Sequence, residues 1–200
     1  ASEIKALLEL THIDKELDIE AINRYLTFLW CPGKETPLIS VIKLLPGEAL
    51  IVEQGKIKEK WQWYQLPIFR ITENNLSKND AIKGVEFHLR QAVQRQMVAD
   101  VPLGAFLSGG LDSSAVVTFA RELNPDIRCF SIETKGKQDP GFVDDLPYAR
   151  KVAKHLNVSL DVVSIDSHKM AEDLEYMVTQ LDEPLADPAA LNVFYISKLA

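Results

Sequence analysis

One stretch of the chain combines residue types that can do chemistry together: Leu107-Ser108-Gly109-Gly110-Leu111-Asp112-Ser113-Ser114. It lies between a compact apolar run, VPLGAFL, and an apolar helical pattern, SSAVVTFAREL. A strand ending in Ser-Gly-Gly can turn tightly and expose successive backbone N–H groups, while the helix that follows aims its N-terminal partial positive charge at the same spot. That arrangement is an anion cradle. The hydroxyls of Ser108, Ser113 and Ser114 can add donors to phosphate oxygens, and Asp112 can hold a Mg²⁺ that offsets the phosphate charge. One exposed helix terminus contributes only about 0.3–1 kcal/mol, so such a cradle needs the metal and several N–H bonds at once. The spacing is not GxxxxGK[ST], whose lysine has no counterpart here, and it is not the GxGxxG of dinucleotide sites. A turn that only needs two glycines and a cap does not call for Asp-Ser-Ser behind them, so the segment reads as a binding loop.

Other chemistry-bearing residues are weaker candidates. Asp182 and Glu183 in LDEPLADP fall on a helix-to-loop junction, and from the residues alone they read as a solvated helix end. Asp187-Pro188 is an ordinary helix start, with Asp as cap and Pro at the first helical position. Cys31, in a helix-ending Cys-Pro-Gly, and Cys129, in an apolar strand, are far apart with no CxxC or His-rich setting, so both read as packing residues. His12, His88, His155 and His168 lack metal spacing. Trp61 and Trp63 alternate on a strand and share a face, which suits packing between domains, and KIKEK is a charged, solvated strand edge.

The elements that must position the loop follow from the periodicity. DIEAINRYLTFLW, capped by Asp18, predicts a helix with Ile19, Ile22, Leu26 and Leu29 at helical spacing, broken at Cys31-Pro32-Gly33. Turn signals at Pro46-Gly47 and Gln54-Gly55 bound strands at about 48 to 53 and 56 to 64, a hairpin. Residues 65–79 lose the period and read as a linker. Ser77 and Asp80 resemble a capping box ahead of the apolar stripe Ile82, Val85, Leu89, Val93 and Met97. Then strand VPLGAFL, helix SSAVVTFAREL ending at Asn124-Pro125, strand IRCFSI, a helix over 146–156, strand LDVVSI, a helix over 167–181 and a last helix from Asp187 alternate. Alternation of this kind predicts an α/β fold with a parallel sheet, flanking helices and right-handed crossovers.

Composition sets the outer bounds. The 200 residues are 46% apolar and 26% charged with 9 Gly and 10 Pro, which excludes collagen-like, low-complexity and wholly disordered classes. With 22 Lys and Arg against 29 Asp and Glu the formal charge is −7, so no general footprint for nucleic acid is present. No apolar run reaches the roughly 18 residues that cross a bilayer, and the start, ASEIKALLEL, lacks the layout of a signal peptide; no membrane partner and a cytoplasmic location are expected. Both ends read as cut, since position 1 is Ala and the last helical pattern lacks a stop signal.

The loop SGGLDSS resembles the pyrophosphate-binding loop of the N-type ATP pyrophosphatases, which cleave ATP between the α and β phosphates and adenylate a substrate. VPLGAFLSGGLDSSAVV, FSIETKG, YARKVAKHL and LDEPLADPAALNVFYISKLA, in this order, are similar to the synthetase domain of glutamine-hydrolysing asparagine synthetases. Upstream, YLTFLWCPGKETPLISVIKLLPGEALIV and WQWY resemble the end of that family's N-terminal-nucleophile amidotransferase domain.

The resemblance implies a Rossmann-like sheet of the PP-loop type from about residue 73 to 200, preceded over 1–72 by the C-terminal helix and strands of the glutaminase domain. It implies Mg²⁺- and ATP-dependent amidation of aspartate by glutamine-derived ammonia through a β-aspartyl-adenylate, releasing AMP and pyrophosphate. It assigns Ser108, Gly109, Gly110, Asp112, Ser113 and Ser114 to pyrophosphate, Asp112 also to the metal, Leu107 and Ile132 to adenosine, and Glu183 to the reacting phosphate. A homodimer is the assembly it allows. Glu133 departs from the glycine that the family commonly has after FSI. The family's N-terminal nucleophilic Cys and its second acidic loop have no counterpart among the 200 residues, so the chain by itself is expected to be inactive. Another carboxylate as acceptor, or an ATP-binding module without turnover, are the rival readings.

Overall fold

The computed structural model describes residues 1–68, 76–136 and 144–200; part of the expected linker over 65–79 lies outside the described residues. The chain divides into two compact units, Ala1–Glu73 with Glu175–Pro188, and Asn74–Leu174 with Ala189–Ala200.

In the first unit a short helix, α1 (Ile4–Leu8), precedes α2 (Ile19–Phe28) and a hairpin of β1 (Glu48–Glu53) and β2 (Lys56–Gln62). Asp18 caps α2 as its sequence predicts, accepting a hydrogen bond from the Ala21 N–H at 3.0 Å, and the helix ends where Leu29 turns left-handed at φ 66°. Its buried residue is Ala21, against whose carbonyl the Cys31 thiol packs, while Ile19 and Leu26 face outward. The expected stripe of Ile19, Ile22, Leu26 and Leu29 is therefore not the packing face; the small side chain of Ala21 lets the chain after the helix come close instead. Gly47, at φ 80°, forms the turn before β1, and a Cβ there would meet the Tyr64 backbone carbonyl oxygen. All of β2 is exposed, its charges along an edge that no other strand pairs among the described residues.

The second unit is built on a parallel sheet in the order β3 (Gly104–Phe106), β4 (Arg128–Lys135), β5 (Ser159–Asp166). Its crossovers are α4 (Leu111–Leu123) and α5 (Leu146–Leu156), so the α/β reading with a parallel sheet and flanking helices holds. Ala105, Cys129 and Leu160 are in register across the three strands. They pack with Leu107, with Val117 of α4 and with Ala149 and Ala153 of α5 in one core. The helix α3 (Lys78–Gln96) is capped by Ser77, which accepts from the Asp80 N–H, and packs on α4 through Val93, Ala120 and Phe119. Ile82 and Val85 remain exposed, so only the C-terminal half of its apolar stripe is used.

Arg90, on the same helix, donates to both carboxylate oxygens of Glu122 and stacks over Phe119. α6 (Ser167–Gln180) and α7 (Ala189–Leu199) complete the chain, α7 packing on β4 and β5. The last helix starts at Ala189 rather than at the expected Asp187-Pro188 boundary.

Candidate functional site

The loop lies where strand β3 hands over to helix α4. Its N-terminal anchor is Leu107, fully buried, whose N–H donates to the Phe130 carbonyl at 2.8 Å and so extends the β3–β4 pairing by one residue. Gly109 adopts φ 80°, and a Cβ on it would stand 2.3 Å from the Ala149 nitrogen and 2.4 Å from the Tyr148 carbonyl carbon. Two requirements thus converge on one residue: a left-handed turn, and a close approach of the loop to the start of α5. Gly110 is different. Its φ is −68°, and a Cβ there would meet only the Ser108 hydroxyl, at 3.4 Å.

Gly110 is also the N-cap of α4, and having no side chain it leaves the helix start open. Ser114 N–H bonds the Gly110 carbonyl, but the N–H groups of Leu111, Asp112 and Ser113 find no acceptor among the described residues. The helix begins two residues earlier than the pattern SSAVVTFAREL suggests, which places Asp112 in its first turn. Asp112 is exposed, and no described group donates to its carboxylate. The Ser108 and Ser113 hydroxyls lie 3.0 Å apart, and the Ser108 oxygen accepts weakly from the Gly110 N–H. The Ser114 hydroxyl donates to the Gly110 carbonyl at 2.6 Å, so its proton serves the helix start. The structure therefore brings Leu107, Ser108, Gly109, Gly110, Asp112, Ser113 and Ser114 into one turn. Ile132 sits half-buried on β4, in register with Val163, and the neighbouring Glu133 accepts from the Ser164 hydroxyl at 2.6 Å.

Glu183 belongs to the first unit. It is half-buried, and its Oε2 accepts from Lys43 Nζ at 2.8 Å; the same ammonium donates to the Cys31 carbonyl at 2.8 Å. Around the pair, the Ala186 N–H bonds the Leu29 carbonyl, the Ile4 N–H bonds Asp182, and Lys5 Nζ reaches the Gln180 carbonyl at the end of α6. An open cavity of about 520 Å³ is lined here by Trp30, Leu44, Leu45, Lys43 and Glu183. Nothing in the local sequence around Lys43 marks it, because its partner is 140 positions away.

Comparison with known proteins decides the family. Residues 84–200 match the family model of asparagine synthase, and residues 1–64 match that of the glutamine amidotransferase domain. The chain belongs to the asparagine synthase family. Glutamine-hydrolysing asparagine synthetase 1 of Bacillus subtilis (strain 168) is 32% identical over 201 residues, covering all of this chain and 30% of that protein. Its second namesake in the same organism is 27% identical over 216 residues, covering all of this chain and 28% of that protein. Amidase chyE of Penicillium rubens is 27% identical over 173 residues, 79% of this chain and 25% of that protein. The chain thus spans about 30% of the length of the curated relatives it matches. Among solved structures, NMN synthetase from Francisella tularensis overlays on 63% of this chain and 51% of its own at a TM-score of 0.39 and 16% identity.

Both cysteines are buried, and burial pushes both thiols up from their ordinary range. Neither is placed as an exposed nucleophile, in line with the packing role their sequence settings suggest. Among the described residues no group of three or more His, Cys, Asp or Glu is gathered as a metal site, and no helix is long and apolar enough to cross a membrane.

Proposed function

We propose that the chain binds Mg-ATP at the Ser108–Ser114 loop and serves the amidation of a carboxylate, aspartate by family likeness, with glutamine-derived ammonia. Its domain division is 1–72 for the tail of the glutaminase and 73–200 for the start of the synthetase. The observation that carries the reading is the open start of α4: an uncapped Gly110, N–H groups on Leu111, Asp112 and Ser113 without an acceptor among the described residues, and an Asp112 carboxylate without a donor among them, at the carboxyl end of a parallel strand.

The donor set suits the metal. Mg²⁺ keeps several waters and takes one or two carboxylates plus phosphate oxygens rather than a cage of side chains, and a lone exposed carboxylate beside anion-binding N–H groups provides that. Bound there through Asp112, it would offset charge on the phosphates. The chain's own part is positional and electrostatic. The Leu111, Asp112 and Ser113 N–H groups, with the Ser108 and Ser113 hydroxyls, hold the pyrophosphate moiety, while the backbone at Leu107 and Ile132 holds the adenosine.

An oxygen of the acceptor carboxylate attacks the α-phosphorus, and the bond from that phosphorus to the bridging oxygen breaks with its electron pair leaving on pyrophosphate. Ammonia then attacks the acyl carbon, AMP leaves, and the nitrogen loses a proton. Glu183 is the acidic residue assigned to the reacting phosphate, as acid/base or as a second carboxylate. The reading keeps the expected cytoplasmic location and a homodimer as its assembly.

Aspartate-dependent exchange of labelled pyrophosphate into ATP tests it in the full-length gene product, with Asp112→Ala as control. Exchange that the substitution abolishes supports adenylation of aspartate. ATP binding without exchange refutes the aspartate assignment. The second reading is amidation of a carboxylate other than aspartate, and the same assay with other acids separates the two.

A further inference from the structure

Resting on that reading, the geometry points to Lys43 as a positioning residue for Glu183. Lys43 follows an antiparallel bridge between Glu35 and Ile42, and its own N–H is bound to the Lys34 carbonyl at 2.7 Å, so its backbone is fixed before its side chain begins. The buried Thr36 hydroxyl secures the same turn, lying 2.8 Å from the Val41 carbonyl and accepting from the Leu38 N–H. From this base the ammonium meets two acceptors, the Cys31 carbonyl and Glu183 Oε2, each at 2.8 Å.

Only one oxygen of Glu183 is engaged; Oε1 has no partner among the described residues. A carboxylate held by one oxygen beside an open, largely apolar cavity has a set direction and a free lone pair, which suits a group that must receive a proton or meet a cation at a fixed place. Ordinary surface pairing explains less. The two side chains are 28% and 22% exposed, and the Glu183 segment is also tied down by the Ala186–Leu29, Asp182–Ile4 and Lys5–Gln180 bonds. Residues near the start of the chain and around position 43 thus hold the acidic segment, and Lys43 is the described residue that donates to the Glu183 carboxylate.

The test is a cycle of Lys43→Met, Lys43→Arg, Glu183→Gln and the double variant Lys43→Met/Glu183→Gln in the full-length gene product. It is read by maximal pyrophosphate-exchange rate, KM for ATP and thermal melting. Outer-shell partners of this kind are typically worth about 10–100-fold, so Lys43→Met is expected to lower the maximal rate about tenfold or more with KM for ATP within about twofold. Lys43→Arg keeps a charged donor and returns the rate to within about threefold of the parent. In the Glu183→Gln background Lys43→Met adds nothing, because its route runs through the missing carboxylate.

An unchanged rate in Lys43→Met overturns the inference, as does an effect that multiplies with that of Glu183→Gln. If Lys43→Met melts early, Lys43→Arg decides: normal melting with a rate about tenfold down also overturns it. Exchange that is absent from the parent, or indifferent to Asp112→Ala, defeats the functional reading itself. Asp112-dependent exchange with Lys43 indifferent defeats this inference alone.

Discussion

Gly109 and Gly110 are adjacent, yet the structure gives them opposite tolerances. At Gly109 an alanine must take a left-handed backbone, at roughly 1–2 kcal/mol. Its Cβ would also stand 2.3 Å from the Ala149 nitrogen and 2.4 Å from the Tyr148 carbonyl carbon. Backbone atoms cannot swing aside as a side-chain tip can, so the loop or the start of α5 must move, at a further cost of about 1–3 kcal/mol. Gly109→Ala should therefore destabilise the second unit by roughly 2–5 kcal/mol, about 10 °C or more in melting for a domain of this size.

At Gly110 the backbone is ordinary at φ −68° and the nearest neighbour is the Ser108 hydroxyl at 3.4 Å. Gly110→Ala should cost only about 0.5–1 kcal/mol through a poorer helix cap. It nevertheless places a methyl group beside the free N–H groups, so it should weaken ATP binding while leaving the fold nearly intact. Far-UV circular dichroism against temperature checks stability, and equilibrium ATP titration checks binding. All three tryptophans, Trp30, Trp61 and Trp63, lie in the first unit, so their fluorescence reports on that unit separately. Equal melting of the two variants would falsify the claim that close approach of α5 is what demands glycine at position 109.

Asp112→Asn removes the charge but keeps the shape, so Mg²⁺-dependent ATP affinity should fall about tenfold or more while melting stays within a few degrees, checked by calorimetric titration with and without the metal. Cys31 and Cys129 should be silent to a colourimetric thiol reagent in the native state and react fully in denaturant, given their burial and raised pKa values; fast native labelling of either contradicts its packing role. The Tyr195 hydroxyl, buried and 2.8 Å from Asp173 Oδ2, has its pKa pushed up to about 12 from an ordinary 10. A proton held more tightly when folded stabilises the fold below pH 10, and that contribution is lost as pH rises to about 12. The stability advantage of the parent over Tyr195→Phe should therefore shrink across that window in denaturant titrations, and a constant difference would count against the Asp173 contact.

The turn at Ser108–Ser114 is legible in the sequence because its geometry is local. Two glycines, an aspartate and three serines between a strand and a helix already constrain what the turn can do, and the structure needs only α5 to show why the left-handed position falls on Gly109 rather than Gly110. The hairpin at Glu48–Gln62 is legible for the same reason, since its turn residues and charged edge are neighbours. The packing faces are less so. Periodicity marks Ile19, Leu26, Ile82 and Val85 as apolar, and the structure leaves all four exposed. A period says which side chains share a face, and only the tertiary neighbours say whether that face is covered.

Lys43 is the extreme case. Its residue type is common on surfaces, its neighbours are unremarkable, and its meaning comes from a carboxylate 140 positions later. The functional reading and the geometry meet at that separation. Sequence places Glu183 with the second of two domains, whereas the fold secures it among residues 4, 5, 29 and 43 of the first. An acidic group held in this way is sensitive to the packing of the segment that holds it. On the proposed reading, small changes around Cys31 or Lys43 should accordingly alter the maximal rate of pyrophosphate exchange.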